Sequence, residues 1–367
     1  MERQKKSQTA IGVGIGNSIT QNIINIVPMY DMEGSNSISC SNLKDPRSRL
    51  QLFTKFDIGD GVIDISLLNK YLKTSNRWIQ SAQNPVDFGL PTDDIGSISC
   101  TWASAGLLWS SWVISGMTPN WWLKCLRWVL SQSNLDNGIP IVRRMDNSIT
   151  DATAFALMDA SVAGEQFKNA AGDLCDWILD MQNNGGWKWS NQADNYTVIS
   201  TCLALLSLKV YHSMIGEKGV EIGSALSAGI QFLIFTRNND LGWGSFPGDI
   251  SRPANTGFVM YTLSTLGQQA MTNESLDFLQ ESYRDVIGWN NTVDRPASHN
   301  VTRLGVPYSL MGLASLEASE ERDILLKCGY DILVSGFREG VYEIPETVAR
   351  SWPTRDFIFA CSTMITN

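Results

Sequence analysis

A unit of about fifty residues recurs along the chain, and this period limits the possible folds more than any other feature of the sequence. Each unit reads as an amphipathic helix, a turn with glycine, and an apolar helix that begins near a threonine. The threonines are Thr101, Thr153, Thr201, Thr256, Thr302 and Thr354. Their spacings of 52, 48, 55, 46 and 52 residues predict six copies of one helical hairpin.

The two helices of each unit differ in polarity, which predicts where they lie. The second helix is apolar nearly all round, as in Leu203 to Leu208, whereas the first has a charged side, as at Lys70 and Lys73. An apolar helix must be buried, and an amphipathic helix can face water. We therefore expect an all-α (α/α)6 toroid in which six inner helices lie inside six outer ones. A stretched solenoid is the alternative.

Residues 1–60 do not follow the period. They are rich in glycine, serine and asparagine, with only short apolar runs. We expect residues 1–60 to be an N-terminal cap or extension and residues 61–367 to form the toroid domain. A chain of 367 residues, 43% of them hydrophobic, can bury a large core.

Composition narrows the classes of partner and compartment. The net charge of -9 argues against nucleic acid or an anionic membrane surface as the main partner. No integral membrane segment is expected, because polar residues such as Asn17 and Gln21 interrupt the apolar run at residues 9–28. Seven cysteines without close pairing fit a reducing compartment, so we expect a cytoplasmic protein. With only two histidines, a zinc site is not expected, and we expect no cofactor.

One hairpin places Trp177, Gln182, Gly186 and Trp187 in the order aromatic, Gln, Gly, Trp. This order resembles the QW repeat of squalene-hopene cyclases, and the threonine-led apolar helices are similar to those of the wider terpenoid cyclase and protein prenyltransferase superfamily. The resemblance covers about residues 62–367 and implies a toroid. As function it implies binding of an isoprenoid, or another apolar ligand with an anionic head, and protonation-initiated (class II) cyclisation.

The repeat residues also have a purely structural interpretation. Gln and Trp at the end of an outer helix can join neighbouring hairpins through hydrogen bonds and stacking, and threonine at an inner-helix start can cap free N–H groups. The repeat therefore favours a fold more than it favours an activity.

Asp151 is the candidate catalytic acid. The class II cyclases that the chain resembles protonate an alkene or epoxide with the middle Asp of an Asp-x-Asp-Asp-Thr-Ala motif. When Thr153-Ala154 is matched to the end of that motif, Asp151 takes the middle position, although the first and last acids are absent here. Asp146, five residues upstream, is the second candidate carboxyl. An alkene is a poor base, so its acid must be desolvated and protonated. Alternatively, Asp151 is an aspartate favoured by the helix dipole.

A group of arginines falls in the turns that lead to inner helices or in their first turns, where helix N-termini add partial positive charge. They are Arg143, Arg144, Arg252, Arg303, Arg350 and Arg355. The group predicts an anion site, and the resemblance would place a diphosphate there. In the alternative, these arginines pair with nearby carboxylates, among them Asp146 and Asp356.

Trp102 and Trp109 lie seven residues apart on one face of an inner helix. The resemblance implies that such aromatics line a cavity and stabilise cationic intermediates through cation–π attraction. In the alternative, large aromatic side chains simply fill a wide toroid.

Two further functions stay open at this point. The incomplete acidic motif and the lack of a Cys and His zinc set fit a non-catalytic toroid that recognises a protein partner or a signal. Six-hairpin glycosidases share the architecture and use carboxylic acids, so Asp146 or Asp151 could also serve a hydrolase.

Overall fold

The computed structural model describes residues 63–92, 98–143, 145–285, 287–289, 305–343 and 350–365. Within these ranges the chain forms six consecutive pairs of α-helices. The outer helices are α1 Ile65–Ala82, α3 Asn120–Leu130, α5 Lys168–Asp180, α7 Gly219–Phe235, α9 Ser275–Ser282 and α11 Glu320–Ser335. The inner helices are α2 Thr101–Ser115, α4 Thr150–Val162, α6 Val198–Ile215, α8 Pro253–Thr265, α10 Gly305–Ala314 and α12 Ser351–Met364. Residues 1–60, predicted to be a cap, lie outside the described residues.

The inner helices form a closed ring. Each contacts the next in chain order, from α2 through α4, α6, α8 and α10 to α12, and α12 packs back against α2. The backbone N–H groups of Arg350 and Ser351 donate to the Thr92 carbonyl at 3.3 and 3.2 Å, which joins the last unit to the first. The (α/α)6 toroid is therefore confirmed, and a stretched solenoid is excluded.

Burial follows the polarity of the helices. Every residue of α8 is buried, as is every residue of α6 from Ser200 to Leu208. The outer helix α1 instead buries one stripe that includes Leu68, Leu72 and Ile79. By length and composition α6 could cross a membrane, but it is an inner helix, and 67% of it is buried inside the protein.

The turns between outer and inner helices surround the end of the ring at which the inner helices begin, which we term the mouth. Short antiparallel strands occupy three of these turns. They are β1 Gln182–Asn183, β2 Gly186–Lys188 and β3 Tyr196–Thr197 in one sheet, β4 Tyr283–Arg284 with β5 Gly288–Trp289, and β6 Phe337–Arg338 with β7 Val341–Tyr342. In the first sheet, Trp187 stands opposite both Gln182 and Thr197.

Three other turns share an Asp-x-Gly sequence. They are Asp87-Phe88-Gly89, Asp136-Asn137-Gly138 and Asp240-Leu241-Gly242. In the second turn, the Asp136 carboxylate accepts hydrogen bonds from the Gly138 N–H at 3.0 Å and the Ser148 hydroxyl at 2.6 Å, and Asn137 has φ of 67°. The other two turns repeat this geometry, so the Asp side chain stabilises each turn from within.

The threonines at the mouth join each inner helix to its preceding turn. Thr153, Thr201, Thr256 and Thr354 accept hydrogen bonds from backbone N–H groups that lie 12 to 14 residues upstream. The threonines thus accept from free N–H groups, as predicted, and these groups belong to the preceding turn rather than to the helix that carries the threonine. In the first unit Ser104 takes this position, and Thr101 donates instead to the Pro140 carbonyl. Thr302 lies outside the described residues.

Gln182 joins neighbouring hairpins, in agreement with the structural interpretation of the repeat. Its Nε2 donates to the Ala225 carbonyl of α7 at 2.8 Å. Gln83 makes the equivalent bond to the Trp121 carbonyl of α3 at 3.0 Å. Trp187 Nε1 donates to the Ile178 carbonyl at 2.7 Å, which fixes the turn to its own outer helix.

Helices α8 and α10 approach each other closely where both carry glycine. A Cβ added at Gly257 would lie 2.2 Å from the Tyr308 carbonyl oxygen, and one at Gly312 would lie 2.6 Å from Gly257 Cα. The close approach sets the Tyr308 ring beside that of Phe258, with ring centroids 4.9 Å apart. Tyr308 is thereby positioned near the mouth.

Candidate functional site

Asp151 lies in the first turn of α4, and its carboxyl group contacts the neighbouring inner helix. The Ser200 hydroxyl, in the first turn of α6, donates to Asp151 Oδ1 at 2.6 Å. The Thr150 hydroxyl donates to the Lys188 carbonyl at 2.6 Å, and the Thr150 N–H donates to the Trp189 carbonyl at 2.9 Å. These bonds tie the start of α4 to the turn before α6, which brings Asp151 and Ser200 together.

The environment of Asp151 favours its protonated form. Burial raises the pKa of this carboxyl, while the Ser200 hydrogen bond and the positive charge of Arg355 lower it, and the net result is a raised pKa. A carboxyl with a raised pKa keeps its proton closer to neutral pH. Donation of a proton to a weak base requires this property.

Arg355 lies in the second turn of α12, between aromatic rings and a carboxylate. Its guanidinium carbon is 4.7 Å from the ring centroid of Trp102 and 5.1 Å from that of Phe155. Its Nε and Nη2 each lie 2.8 Å from Oδ1 of Asp356. Arg355 also interacts electrostatically with Asp151. We term Asp151, Ser200, Trp102, Arg355 and Asp356 the Asp151 cluster.

The Asp356 carboxyl is buried, with 1% of the residue exposed. Its Oδ1 accepts a hydrogen bond from the Tyr308 hydroxyl at 2.9 Å in addition to those from Arg355, and its Oδ2 has no hydrogen-bond partner among the described residues. Burial raises the pKa of Asp356, the adjacent guanidinium and the Tyr308 hydroxyl oppose this rise, and the net result is a raised pKa. Arginine keeps its proton, so its guanidinium favours the ionised form of the carboxyl that it contacts.

The second predicted carboxyl, Asp146, is not part of the cluster. It is exposed in the turn before α4, as is Arg143 in the same turn. Among the described residues, the charged group that acts on Asp151 is Arg355. The sequence therefore correctly placed Asp146 near α4 but did not show that it faces water.

The arginines proposed as an anion site have separate environments. Arg252 pairs with Asp249, with Nε 3.4 Å from Oδ2, and Arg350 is exposed just before α12. Arg144 and Arg303 lie outside the described residues. Of the four described arginines in the group, Arg355 alone joins the Asp151 cluster.

The two candidate cavity tryptophans also have different surroundings. Trp102 is half-buried, with its ring against the Arg355 guanidinium. Trp109 is only 3% exposed and stacks on Trp112, with ring centroids 4.9 Å apart and planes at 19°. Trp102 thus belongs to the site, while Trp109 is part of the hydrophobic core.

Three residues of the site carried no signal of their own in the sequence. Ser200 is at the start of the next inner helix after Asp151, and the sequence indicates Asp356 only as an ion-pair partner. Tyr308 matched no motif. The signal that could identify Ser200 and Tyr308 is the repeat period of about fifty residues, because one repeat separates each from the carboxyl group it contacts. Ser200 lies 49 residues from Asp151, and Tyr308 lies 48 residues from Asp356.

The described part of the chain offers no group of three or more His, Cys, Asp or Glu side chains that could hold a metal ion. Its six cysteines are free thiols, and five of them are buried.

Comparison with known proteins supports the fold and leaves the activity open. No protein-family model matches the chain. Drimenyl diphosphate synthase from Streptantibioticus cattleyicolor is 26% identical over 202 residues, which cover 51% of this chain and 36% of that protein. The chain therefore spans well under half the length of this curated relative.

Several solved structures have the same toroid at 10% identity. They include a β-1,3-1,4-glucanase from Paenibacillus (TM-score 0.61; 86% of this chain and 96% of that chain), an α-1,6-mannanase from Salegentibacter (0.56; 82% and 99%) and the type II terpene cyclase MstE from Scytonema (0.54; 82% and 98%). Likeness at this level shows the fold and does not separate a cyclase from a glycoside hydrolase.

Proposed function

We propose that this chain binds an isoprenoid with an anionic head and starts its cyclisation by protonating an alkene, with Asp151 as the acid. The observation that carries the proposal is the half-buried Asp151 carboxyl at the mouth, held by the 2.6 Å hydrogen bond from Ser200. Its raised pKa favours the protonated form that donation requires.

The reaction needs no co-reactant. The O–H bond of Asp151 breaks, and its proton forms a C–H bond with one alkene carbon by taking the π electron pair. The resulting carbocation closes a ring by accepting the π pair of the next alkene, and the final cation loses a proton to a base. The Asp151 carboxylate left behind is stabilised by the Ser200 hydrogen bond and by the charge of Arg355.

The Arg355–Asp356 pair makes this cluster compatible with a carbocation. A lone guanidinium would repel a cationic intermediate, but Asp356 compensates its charge. The Trp102 ring is already in contact with Arg355, so that face of the ring stabilises the guanidinium.

The names of two similar proteins support this substrate class. Drimenyl diphosphate synthase is named for a terpenoid diphosphate, and structures of MstE hold geranylgeranyl dihydroxybenzoate as substrate and merosterolic acid A as product. A prenyl diphosphate is the first substrate to test here. A cytosolic location and a diphosphate contact at Arg143, Arg252 or Arg350 stay predictions.

The glucanase and mannanase neighbours make a glycoside hydrolase the second candidate. Such an enzyme uses two carboxyl groups that flank the sugar bond. Within the Asp151 cluster, the second carboxyl group that could act with Asp151 is that of Asp356, and it is already paired with Arg355. This arrangement favours the cyclase over the hydrolase.

The test compares wild type, Asp151→Asn and Asp173→Asn, which makes the same change on the exposed side of α5. Each is incubated with farnesyl diphosphate, geranylgeranyl diphosphate, squalene, inorganic diphosphate or manno- and gluco-oligosaccharides, and melting shifts and product masses are measured. A ligand at a hundredfold excess over its Kd stabilises the fold by about 2.7 kcal/mol.

We expect a prenyl diphosphate to stabilise all three proteins, and a cyclised product from wild type and Asp173→Asn only. Cleavage of an oligosaccharide would instead identify a hydrolase. No stabilisation by any compound would favour a non-catalytic toroid with a protein partner.

A further inference from the structure

Arg355 and Asp356 are adjacent in α12, and both side chains are buried at the mouth, with 6% and 1% of each residue exposed. Two nitrogens of the guanidinium contact one oxygen of the carboxylate, and the Tyr308 hydroxyl of α10 donates to that same oxygen at 2.9 Å. Asp356 is therefore held from two neighbouring inner helices.

The position of Arg355 is also restrained by its other neighbours. Its guanidinium lies between the rings of Trp102 on α2 and Phe155 on α4. A Cβ at Gly106 would lie 2.8 Å from Arg355 Cδ, so the absence of a side chain there makes room for the arginine. Phe155 lies one helical turn after Asp151 on α4, so these contacts hold the guanidinium against the part of α4 that carries Asp151.

Such an arginine has a direct effect on a neighbouring acid. A guanidinium that lacks a counterion attracts the negative form of a nearby carboxyl and lowers its pKa. Asp356 supplies the counterion, so Asp151 experiences a weaker positive field than Arg355 alone would produce. A protonated Asp151 beside a compensated Arg355 leaves the cluster neutral.

Other charged groups on the helices around α4 and α12 are directed elsewhere. Helix α2 has no charged side chain. On α6, the Lys209 ammonium donates to the Thr265 carbonyl, and His212 is near the far end of the helix. The outer helices α1, α3 and α5 carry exposed charged residues, which are Lys70, Lys73, Arg77, Lys124, Arg127, Asp173, Asp176 and Asp180. Lys168, also on α5, pairs with Glu217. In the turn before α6, Lys188 Nζ lies over the Tyr196 ring, and Asp159, on α4 itself, is two turns below Asp151.

We propose that Asp356, held by Tyr308, is a positioning residue that compensates the charge of Arg355 beside the acid Asp151. Tyr308 acts indirectly, because its hydroxyl holds the Asp356 carboxylate, which in turn holds the Arg355 guanidinium. This inference rests on the proposed role of Asp151 as the acid, and it adds two residues from α10 and α12 that control when the acid holds its proton.

The test follows the titration of Asp151 in the full-length protein without substrate. Aspartate labelled with ¹³C in its carboxyl group is incorporated, and the Asp151 resonance is assigned by its disappearance in Asp151→Asn. The variants are Asp356→Asn, Tyr308→Phe and Arg355→Met, with Asp173→Asn as the matched surface control.

Removal of the Asp356 charge leaves Arg355 uncompensated, so we expect the acid dissociation constant of Asp151 to rise about tenfold or more. In Tyr308→Phe we expect a smaller rise in the acid dissociation constant of Asp151. In Arg355→Met we expect this constant to fall, and in Asp173→Asn we expect it to stay unaltered. An Asp151 titration that does not move in Asp356→Asn and Tyr308→Phe, or that moves in the opposite direction, overturns the proposal.

Asp356→Asn leaves a buried arginine without its counterion and can fail to fold. Tyr308→Phe keeps the ion pair and removes one hydroxyl, so it carries the test in that event. The double variant Arg355→Met with Asp356→Asn removes both charges, and we expect its Asp151 titration to lie closer to wild type than that of Arg355→Met alone.

The outcomes separate this inference from the proposed function. If product formation needs Asp151 but the titration ignores Asp356 and Tyr308, the cyclase stands and the present inference fails. If the titration moves as expected but no isoprenoid is converted, the charge network stands and the proposed function fails.

Discussion

The Ser200 hydroxyl donates a 2.6 Å hydrogen bond to Oδ1 of Asp151, and this bond links the first turns of two neighbouring inner helices. A donor of this kind stabilises the carboxylate, whereas burial stabilises the protonated acid. The two effects oppose each other at one carboxyl group. The Ser200 bond therefore limits the rise in the pKa of Asp151 and stabilises the carboxylate that remains after proton transfer.

Replacement of Ser200 by alanine raises the pKa of Asp151 further, because the carboxylate loses its hydroxyl donor. Carboxyl-labelled NMR or infrared titration of the variant measures this change. Ser207→Ala is the matched control, since Ser207 is buried on the same helix and donates only to the Ala204 carbonyl. A similar Asp151 titration in both variants would show that the Ser200 bond is unimportant.

Asp151 contributes a defined pH dependence to stability. Its folded-state pKa is raised, so its protonation favours the folded state at low pH. That contribution is lost as pH rises from about 4, the unfolded carboxyl value, through the raised folded value. We expect Asp151→Asn to gain stability relative to wild type over this range. Urea unfolding of both proteins at a series of pH values measures the difference, and a difference that is constant with pH contradicts the prediction.

The turn-binding threonines contribute to stability through buried N–H groups. Thr256→Val removes the acceptor for the Trp243 N–H, which is 2.9 Å from the hydroxyl oxygen, so we expect a loss of about 1–3 kcal/mol in unfolding free energy. Thr262→Val is the control on the same helix, because the Thr262 hydroxyl donates to the Phe258 carbonyl four residues earlier and interacts with the Cys202 thiol rather than with a turn. Chemical denaturation that gives equal losses for both variants would refute this role.

Two inner-helix glycines respond differently to alanine. At Gly257 the new Cβ would lie 2.2 Å from a backbone oxygen of α10, so the two helices must separate, and we expect a loss of about 3 kcal/mol in unfolding free energy. At Gly106 it would meet the Cδ atom of the Arg355 side chain, not backbone, at 2.8 Å, so we expect the fold to persist while the guanidinium is displaced from its neighbours. Thermal unfolding of Gly257→Ala and Gly106→Ala compares the two sites. Equal melting temperatures would show that the α8–α10 approach is not tight.

The closed ring follows from sequence because the period and the helix polarity both report on burial. Threonine register was harder to read, since Ser104 replaces threonine in the first unit and Thr101 lies three residues away in the same helix. An Oγ that accepts a turn N–H is common to both serine and threonine. A pattern of threonines alone therefore places the equivalent position of the first repeat at Thr101 instead of Ser104.

The candidate site was predictable only in part. Asp151, Trp102 and Arg355 were singled out by position near helix starts, and they do come together. Which carboxylate faces Arg355 depends on helix rotation and on the closing of the ring, and neither is encoded in a local motif. Asp146 illustrates the limit, because five residues of turn suffice to place it in water.

The most direct test of the central claim is incubation with farnesyl or geranylgeranyl diphosphate in D₂O, followed by mass analysis of the products. The Asp151 proton exchanges with solvent, so we expect wild type to form a cyclised product that retains its diphosphate and carries one deuterium at the carbon protonated first. Asp151→Asn should form none, although it is folded. A wild-type product without deuterium, or equal labelling by Asp151→Asn, would contradict the assignment of Asp151 as the acid.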